Sequence, residues 1–278
     1  MSATVRHPPP LNDQRNGVQK HLFSPTPNSR IADDNGLNDI LGVTQILENH
    51  DIPCFCVGIS ALKFYGAARD RREWEICVPT ELVSKAHEIF SSPPYSTTYI
   101  PISPVPHARV MSFLHTYKRY QIRDLPHIFV IVPSRDVHLD CRPNKIVRSL
   151  RGLPYPNLED FFQSCLDRRD EVELTDLIDG TNVTNDWGES HLNLNGSHDV
   201  EWAREMKRRT DEWDPQVEGT SPPIDYWPTR PLSKREFWRE LVMTKMDRLD
   251  WSRPPEIFLT QYRIRNSSDP WTVMTNVA

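Results

Sequence analysis

The chain lacks any apolar run near the roughly eighteen residues that a membrane-crossing helix needs, so a helical membrane protein is not expected. Its first 35 residues lack the apolar core of a secretory signal and the Arg-rich amphipathic pattern of a transit peptide; the expected compartment is cytosol or nucleus. Positive charge is not in excess. Lys and Arg number 33 against 38 Asp and Glu, a net charge of -5, which gives no strong signal for duplex nucleic acid and favours a small or basic partner. The basic run Arg204, Lys207, Arg208 and Arg209 reads as a solvated helix face. None of the five cysteines (Cys54, Cys56, Cys77, Cys141, Cys165) sits in a CxxC pair, so they are expected to be reduced core thiols rather than metal ligands. P-loop, Gly-x-Ser-x-Gly and HExxH signatures are missing, and His107, His115, His127 and His138 are too scattered to suggest a histidine base.

Glycine is scarce, at 10 residues, whereas proline is abundant at 25, and the clusters of proline punctuate the chain. Residues 1–34, with Pro8, Pro9, Pro10, Pro25 and Pro27, read as a disordered lead. Residues 35–180 follow as one folded domain, 181–231 as a polar insert with a helix and a Pro-rich link, and 232–278 as a C-terminal helix with an aromatic tail. Within the domain, Leu37, Ile40, Leu41, Val43, Thr44, Ile46 and Leu47 have helical spacing. Residues 53–57 read as a short buried strand, 60–65 as a helix ending at Gly66, and 73–78 as a second strand. Thr80 is expected to cap a helix running through Phe90. Residues 94–126 are ambiguous, and Val110 to Tyr120 suits strand or helix. Strands are expected at 127–132 and 137–141, and helices at 157–167, 171–179 and 198–212. A polar loop is expected over 180–194. Ser233 with Glu236 spells a capping box opening a helix to about Arg248, and Trp251, Phe258, Tyr262 and Trp271 are expected to pack back onto the body. The sum is an α/β (α+β) fold with a mixed sheet flanked by helices and a helical C-terminal part.

The residues most suggestive of chemistry lie between Val57 and Val78. In a strand, residues two apart share a face, so Glu73 and Glu75 project together, opposite Trp74 and Ile76. Adjacent carboxylates repel unless a cation or proton lies between them, and a hard divalent cation such as Mg²⁺ suits an oxygen cluster. Gly58 lets backbone amides approach a phosphate ahead of a helix, and Ser60 adds a hydroxyl.

Taken as a string, Gly58, Ser60, Ala61, Leu62, Gly66, Arg69, Glu73, Glu75 and Val78 resemble the nucleotidyltransferase superfamily, in particular its minimal, aminoglycoside and AbiEii-toxin-like members. In that family a hydrophobic strand, Gly-Gly or Gly-Ser, a helix, Gly, Arg and an Asp-x-Asp strand follow in this order. Leu153 to Asp160 resembles the family's proline-bounded entry to the next helix, and Arg168, Asp170 and Asp176 continue the match, so the likeness spans about residues 37–180. The resemblance implies a nucleotidyltransferase-like mixed sheet. It also implies that Glu73, Glu75 and Asp140 are the catalytic and metal-binding carboxylates (Asp136 being the runner-up for the third), that Gly58, Ser60 and Arg69 bind the nucleotide, and that Mg²⁺ and a nucleoside triphosphate are the ligands.

Three positions depart from the pattern. Glutamates replace both aspartates, Ile59 replaces the second glycine, and Cys165 stands where the family often has a phosphate-reaching lysine, with Arg168 or Arg169 as substitutes. Three functions are therefore open: a divergent member that binds a nucleotide or partner without efficient transfer; an active Mg²⁺-dependent enzyme moving a nucleoside monophosphate to a small molecule, RNA or protein; or an interaction protein working through its aromatic C-terminal region.

Overall fold

The computed structural model describes residues 36–245 except 68–70, 106, 107, 109, 215, 217 and 218. The expected lead, the aromatic tail and Arg69 lie outside the described residues. The chain runs α1 (Leu37–Asn49), β1 (Phe55–Val57), α2 (Gly58–Phe64), β2 (Trp74–Val78), α3 (Val83–Ser91), β3 (Tyr99–Ile102), β4 (Arg119–Ile122), β5 (Ile128–Pro133), β6 (Ile146–Arg148), β7 (Pro154–Pro156), α4 (Leu158–Arg168), α5 (Glu171–Thr181), α6 (Asn185–His191), α7 (Val200–Asp211) and α8 (Lys234–Met243). Five strands form a mixed sheet in the order β1-β2-β5-β4-β3, and β6 pairs with β7 in a second, two-stranded sheet. Only the β2–β5 pairing in the larger sheet is parallel. This is the α/β arrangement expected from the sequence. Among the described residues no helix is long and apolar enough to cross a membrane.

Every residue of β2 is buried because both of its faces are covered. Trp74, Ile76 and Val78 face the main core with Phe129, Ile131 and Tyr120, where they meet Ile40, Val43 and Leu47 of α1, Ala86 and Phe90 of α3, and Phe161 and Phe162 of α4. The opposite face carries a smaller cluster of Phe55, Val57, Cys77, Val130 and Val132, covered by Leu114 and Cys141. Phe237, Trp238 and Leu241 of α8 belong to the main core, so the last described helix shares the hydrophobic interior of residues 37–180. A third cluster joins Phe113 to Trp202, Ala203 and Met206 of α7 and to Trp227.

Helix starts follow the side chains that can accept the first free amides. Asn157 accepts from Asp160 N, Asp170 from Glu173 N, Asp199 from Trp202 N, and Ser233 from Glu236 N at 3.2 Å. Ser233→Ala is therefore expected to cost about 1 kcal/mol in urea denaturation, with α8 fraying first in hydrogen exchange. An unchanged midpoint in that titration would remove the cap from the account.

Several local expectations are corrected. Thr80 opens a 3₁₀ turn (Thr80–Leu82) and caps nothing; its hydroxyl accepts from the Arg135 amide, and its own amide donates to Ser134 Oγ. The strand expected at 137–141 is a 3₁₀ turn (Ser134–Val137) followed by irregular chain, because His138 adopts φ 52° and Val137 and Leu139 lie on the sheet's face instead of joining its edge. The expected polar loop over 180–194 contains α6, capped by Thr184 and anchored by Trp187, whose ring lies 5.1 Å from that of Phe162. Residues 119–122 of the ambiguous stretch form a strand inside the sheet.

Candidate functional site

At the end of β1 the chain turns through Gly58, whose φ of +55° is a conformation that side chains disfavour. Antiparallel pairing sets Val57 opposite Glu75, which brings the Glu75 side chain over the turn. A Cβ on Gly58 would lie 2.3 Å from Glu75 Oε2 and 2.5 Å from its Cδ, so hydrogen alone leaves room for the carboxylate. Glu75 is 8% exposed. Ser60, two residues further along the same helix, is also buried, and its Oγ has no hydrogen-bond partner. The structure therefore packs the Glu75 carboxylate against Gly58, with Ser60 following in the same helix.

Glu73 lies just before β2 and is held by a residue that the sequence analysis did not single out. Arg119 donates from Nε to Glu73 Oε2 at 2.8 Å and from Nη2 to Oε1 at 3.1 Å. This is a two-pronged pair with side-chain exposures of 2% for Arg119 and 11% for Glu73. The sheet register explains the encounter, since Val130 of β5 lies opposite both Glu75 of β2 and Arg119 of β4. Arg119 thus shares the face of Glu75, and its guanidinium spans the sheet to the start of β2. Its Nη1 lies 3.4 and 3.5 Å from the carbonyls of His115 and Tyr117. A charged residue between Lys118 and Tyr120 was the available signal: a basic side chain in a half-apolar stretch calls for a buried acid.

Asp140 does not join Glu73 and Glu75. It is exposed, pairs with Arg142 two residues on, and lines a separate cavity of about 390 Å³ with Ser134, Arg135, His138, Leu139 and Trp202. Without the strand expected at 137–141, no pleat aims it at the site. The runner-up, Asp136, is nearly buried and engaged by Tyr117 Oη and by Arg209 at 2.6 and 3.1 Å. Among the described residues no group of three or more His, Cys, Asp or Glu side chains is placed to hold a metal ion.

Cys165 and the two arginines that follow it are likewise turned to packing. Cys165 is fully buried, and its thiol is pushed well up by burial and then by Glu173. Arg168 is buried beside it, 3.0 Å from Asp170 Oδ2 and 2.5 Å from Glu173 Oε2. Burial works against its charge, but the two carboxylates outweigh that and raise its proton affinity. Arg169 lies over the Phe237 ring at 4.1 Å. Both arginines thus serve the joint between α4, α5 and α8. Of the histidines, His115 Nε2 lies 2.7 Å from the Ser221 carbonyl, His138 Nε2 lies 2.9 Å from Asp199, and His127 lies 3.8 Å from Asp39; His107 lies outside the described residues.

No protein-family model matches the chain, and no curated protein does. Among solved structures it is similar to JHP933 from Helicobacter pylori, at 14% identity and a TM-score of 0.33, covering 79% of this chain and 92% of that one. It is also similar to an H. pylori protein described provisionally as a nucleotidyltransferase, at 12% identity and a TM-score of 0.32, covering 82% of this chain and 100% of that one. The reading of the site rests on the chain's own residues.

Proposed function

We propose that the chain is a nucleotidyltransferase-like protein that binds a nucleoside triphosphate beside the Gly58 turn without efficient transfer of the nucleotidyl group. One observation carries this reading: the buried, two-pronged Arg119–Glu73 pair. In-line transfer on a metal needs carboxylate oxygens free to bind a hard cation that keeps near-octahedral geometry. Here a guanidinium takes both oxygens of Glu73, and Asp140 is directed elsewhere. The residues present do not fit Mg²⁺ as a catalytic ion. The binding half of the reading is supported by the string of motif positions, by the positive-φ turn at Gly58 and by the unpartnered hydroxyl of Ser60.

A thermal-shift series with ATP, GTP, CTP and UTP, with and without Mg²⁺ or Mn²⁺, tests both halves when run beside a pyrophosphate-release assay. At saturation the preferred nucleotide is expected to raise Tm by about 3 °C or more, with no pyrophosphate above the buffer level. Metal-dependent pyrophosphate release that is lost in Glu75→Gln would establish an active nucleotidyltransferase instead. No shift with any nucleotide would leave an interaction protein.

A further inference from the structure

The smaller core beneath the sheet holds two thiols in contact. Cys77 is fully buried near the end of β2, on the face it shares with Glu75, among Phe55, Val57, Val130 and Val132. Cys141 comes from the irregular chain after the Ser134–Val137 turn and packs onto the same cluster at 4% exposure. Their sulfurs are 3.5 Å apart although the residues are 64 positions apart in the chain. Of the other three thiols, Cys54 lies near enough to feel Cys141 and Cys77 but donates to the Thr44 carbonyl, Cys56 faces the main core, and Cys165 sits against Glu173 and Arg168. Access to the pair is one-sided. Cys77 is sealed inside the sheet, whereas Cys141 is flanked by the exposed Asp140 and Arg142 and lies in a segment with no ladder to hold it down.

We infer that Cys141 and Cys77 form a peroxide-responsive thiol pair, with Cys141 as the first sulfur oxidised and Cys77 as the resolving one. The Cys141 sulfur, deprotonated when its segment lifts, attacks one oxygen of a hydroperoxide. The O–O bond breaks, the leaving oxygen departs as water or alcohol after taking a proton, and Cys141 becomes a sulfenic acid. Cys77 then attacks that sulfur, the S–S bond forms, and the sulfenic oxygen leaves as water with the proton that Cys77 gives up. Two thiols are oxidised by two electrons and the peroxide is reduced by two. Burial and the neighbouring Cys141 push the Cys77 thiol well up, so the resting pair is slow to react and the rate follows the opening of the Cys141 segment. Because the link closes a long loop, it fastens that segment to the strand that carries Glu75. None of this depends on nucleotide binding.

The test uses the full chain, exposed to hydrogen peroxide and then unfolded in an alkylating reagent. Met243, 72% exposed, serves as the internal gauge of oxidant dose. When Met243 becomes the sulfoxide, free thiols are expected to fall from five to three, and the tryptic peptides Glu73–Lys85 and Asp136–Lys145 to be joined. Dithiothreitol is expected to restore all five thiols. The oxidised chain is expected to melt about 5 °C or more higher. Cys141→Ser, and Cys141→Ala should the serine variant misfold, is expected to keep its four remaining thiols at the same dose. Five free thiols beside a fully oxidised Met243, a link between any other two cysteines, or oxidation halting at a sulfinic acid on Cys141 would each overturn the inference.

Discussion

Replacing Arg119 with methionine is expected to lower the unfolding free energy by about 3 kcal/mol, because it takes a two-pronged guanidinium away from a Glu73 carboxylate that is only 11% exposed. Methionine keeps most of the aliphatic stem, so the loss reports on charge more than on volume. The companion change Glu73→Gln is expected to recover much of the deficit in the double variant, since the carboxylate that lost its guanidinium is neutralised as well. Urea titration of the four proteins gives the coupling directly. The same variant bears on the proposed function: with the guanidinium gone, Glu73 and Glu75 gain room for a cation, so Mn²⁺ is expected to stabilise the variant and to leave the parent chain unchanged. If Arg119→Met melts like the parent, the pair contributes little, and the main support for a non-catalytic site is lost.

Gly66→Ala is expected to be as damaging, at about 3 kcal/mol or a fall of about 10 °C in Tm. Gly66 has φ +110°, and a Cβ there would sit 2.4 Å from the backbone oxygen of Gly180 and 3.0 Å from its carbon. Neither atom can rotate away as a side chain can, so α5 would have to shift off the turn that ends α2. A Cβ on Gly180 would in turn lie 2.8 Å from Ala67 N and 2.9 Å from Gly66 C, so the two glycines make one close contact. A melting point within about 2 °C of the parent in differential scanning calorimetry would show that the two segments are further apart than described here.

The elements that were legible in the sequence are those whose burial is periodic and local. The stripe on α1 and the apolar runs of β1, β2 and β5 have one dominant pattern each, and the structure keeps them within about two residues. The approach of Glu75 to Gly58 follows from the register of one antiparallel pair, which ties a turn glycine to a strand carboxylate. What was not legible depends on distant partners. Arg119 lies in a stretch broken by prolines, and only its placement two strands from Glu75 reveals its role. Asp140 looked like a strand residue because apolar neighbours flank it, but those neighbours pack downward onto the sheet from an irregular segment. The helix α6 is polar along most of its length. Its stability comes from Trp187 against Phe162 and from Gly188, where a Cβ would lie 2.3 Å from the buried Trp238 ring.

The parallel contact at the heart of the sheet has a consequence for how the chain is made. Trp74 pairs with Phe129, 55 positions later in the sequence (129 minus 74), so β2 leaves the ribosome long before its inner neighbour exists. Until β5 emerges, one side of a largely apolar strand is left with open amides and carbonyls, the kind of edge that sticks to other nascent chains. Delayed closure of that kind slows folding and makes early protection of residues 74–78, by chaperone or by low expression temperature, a condition for good yield.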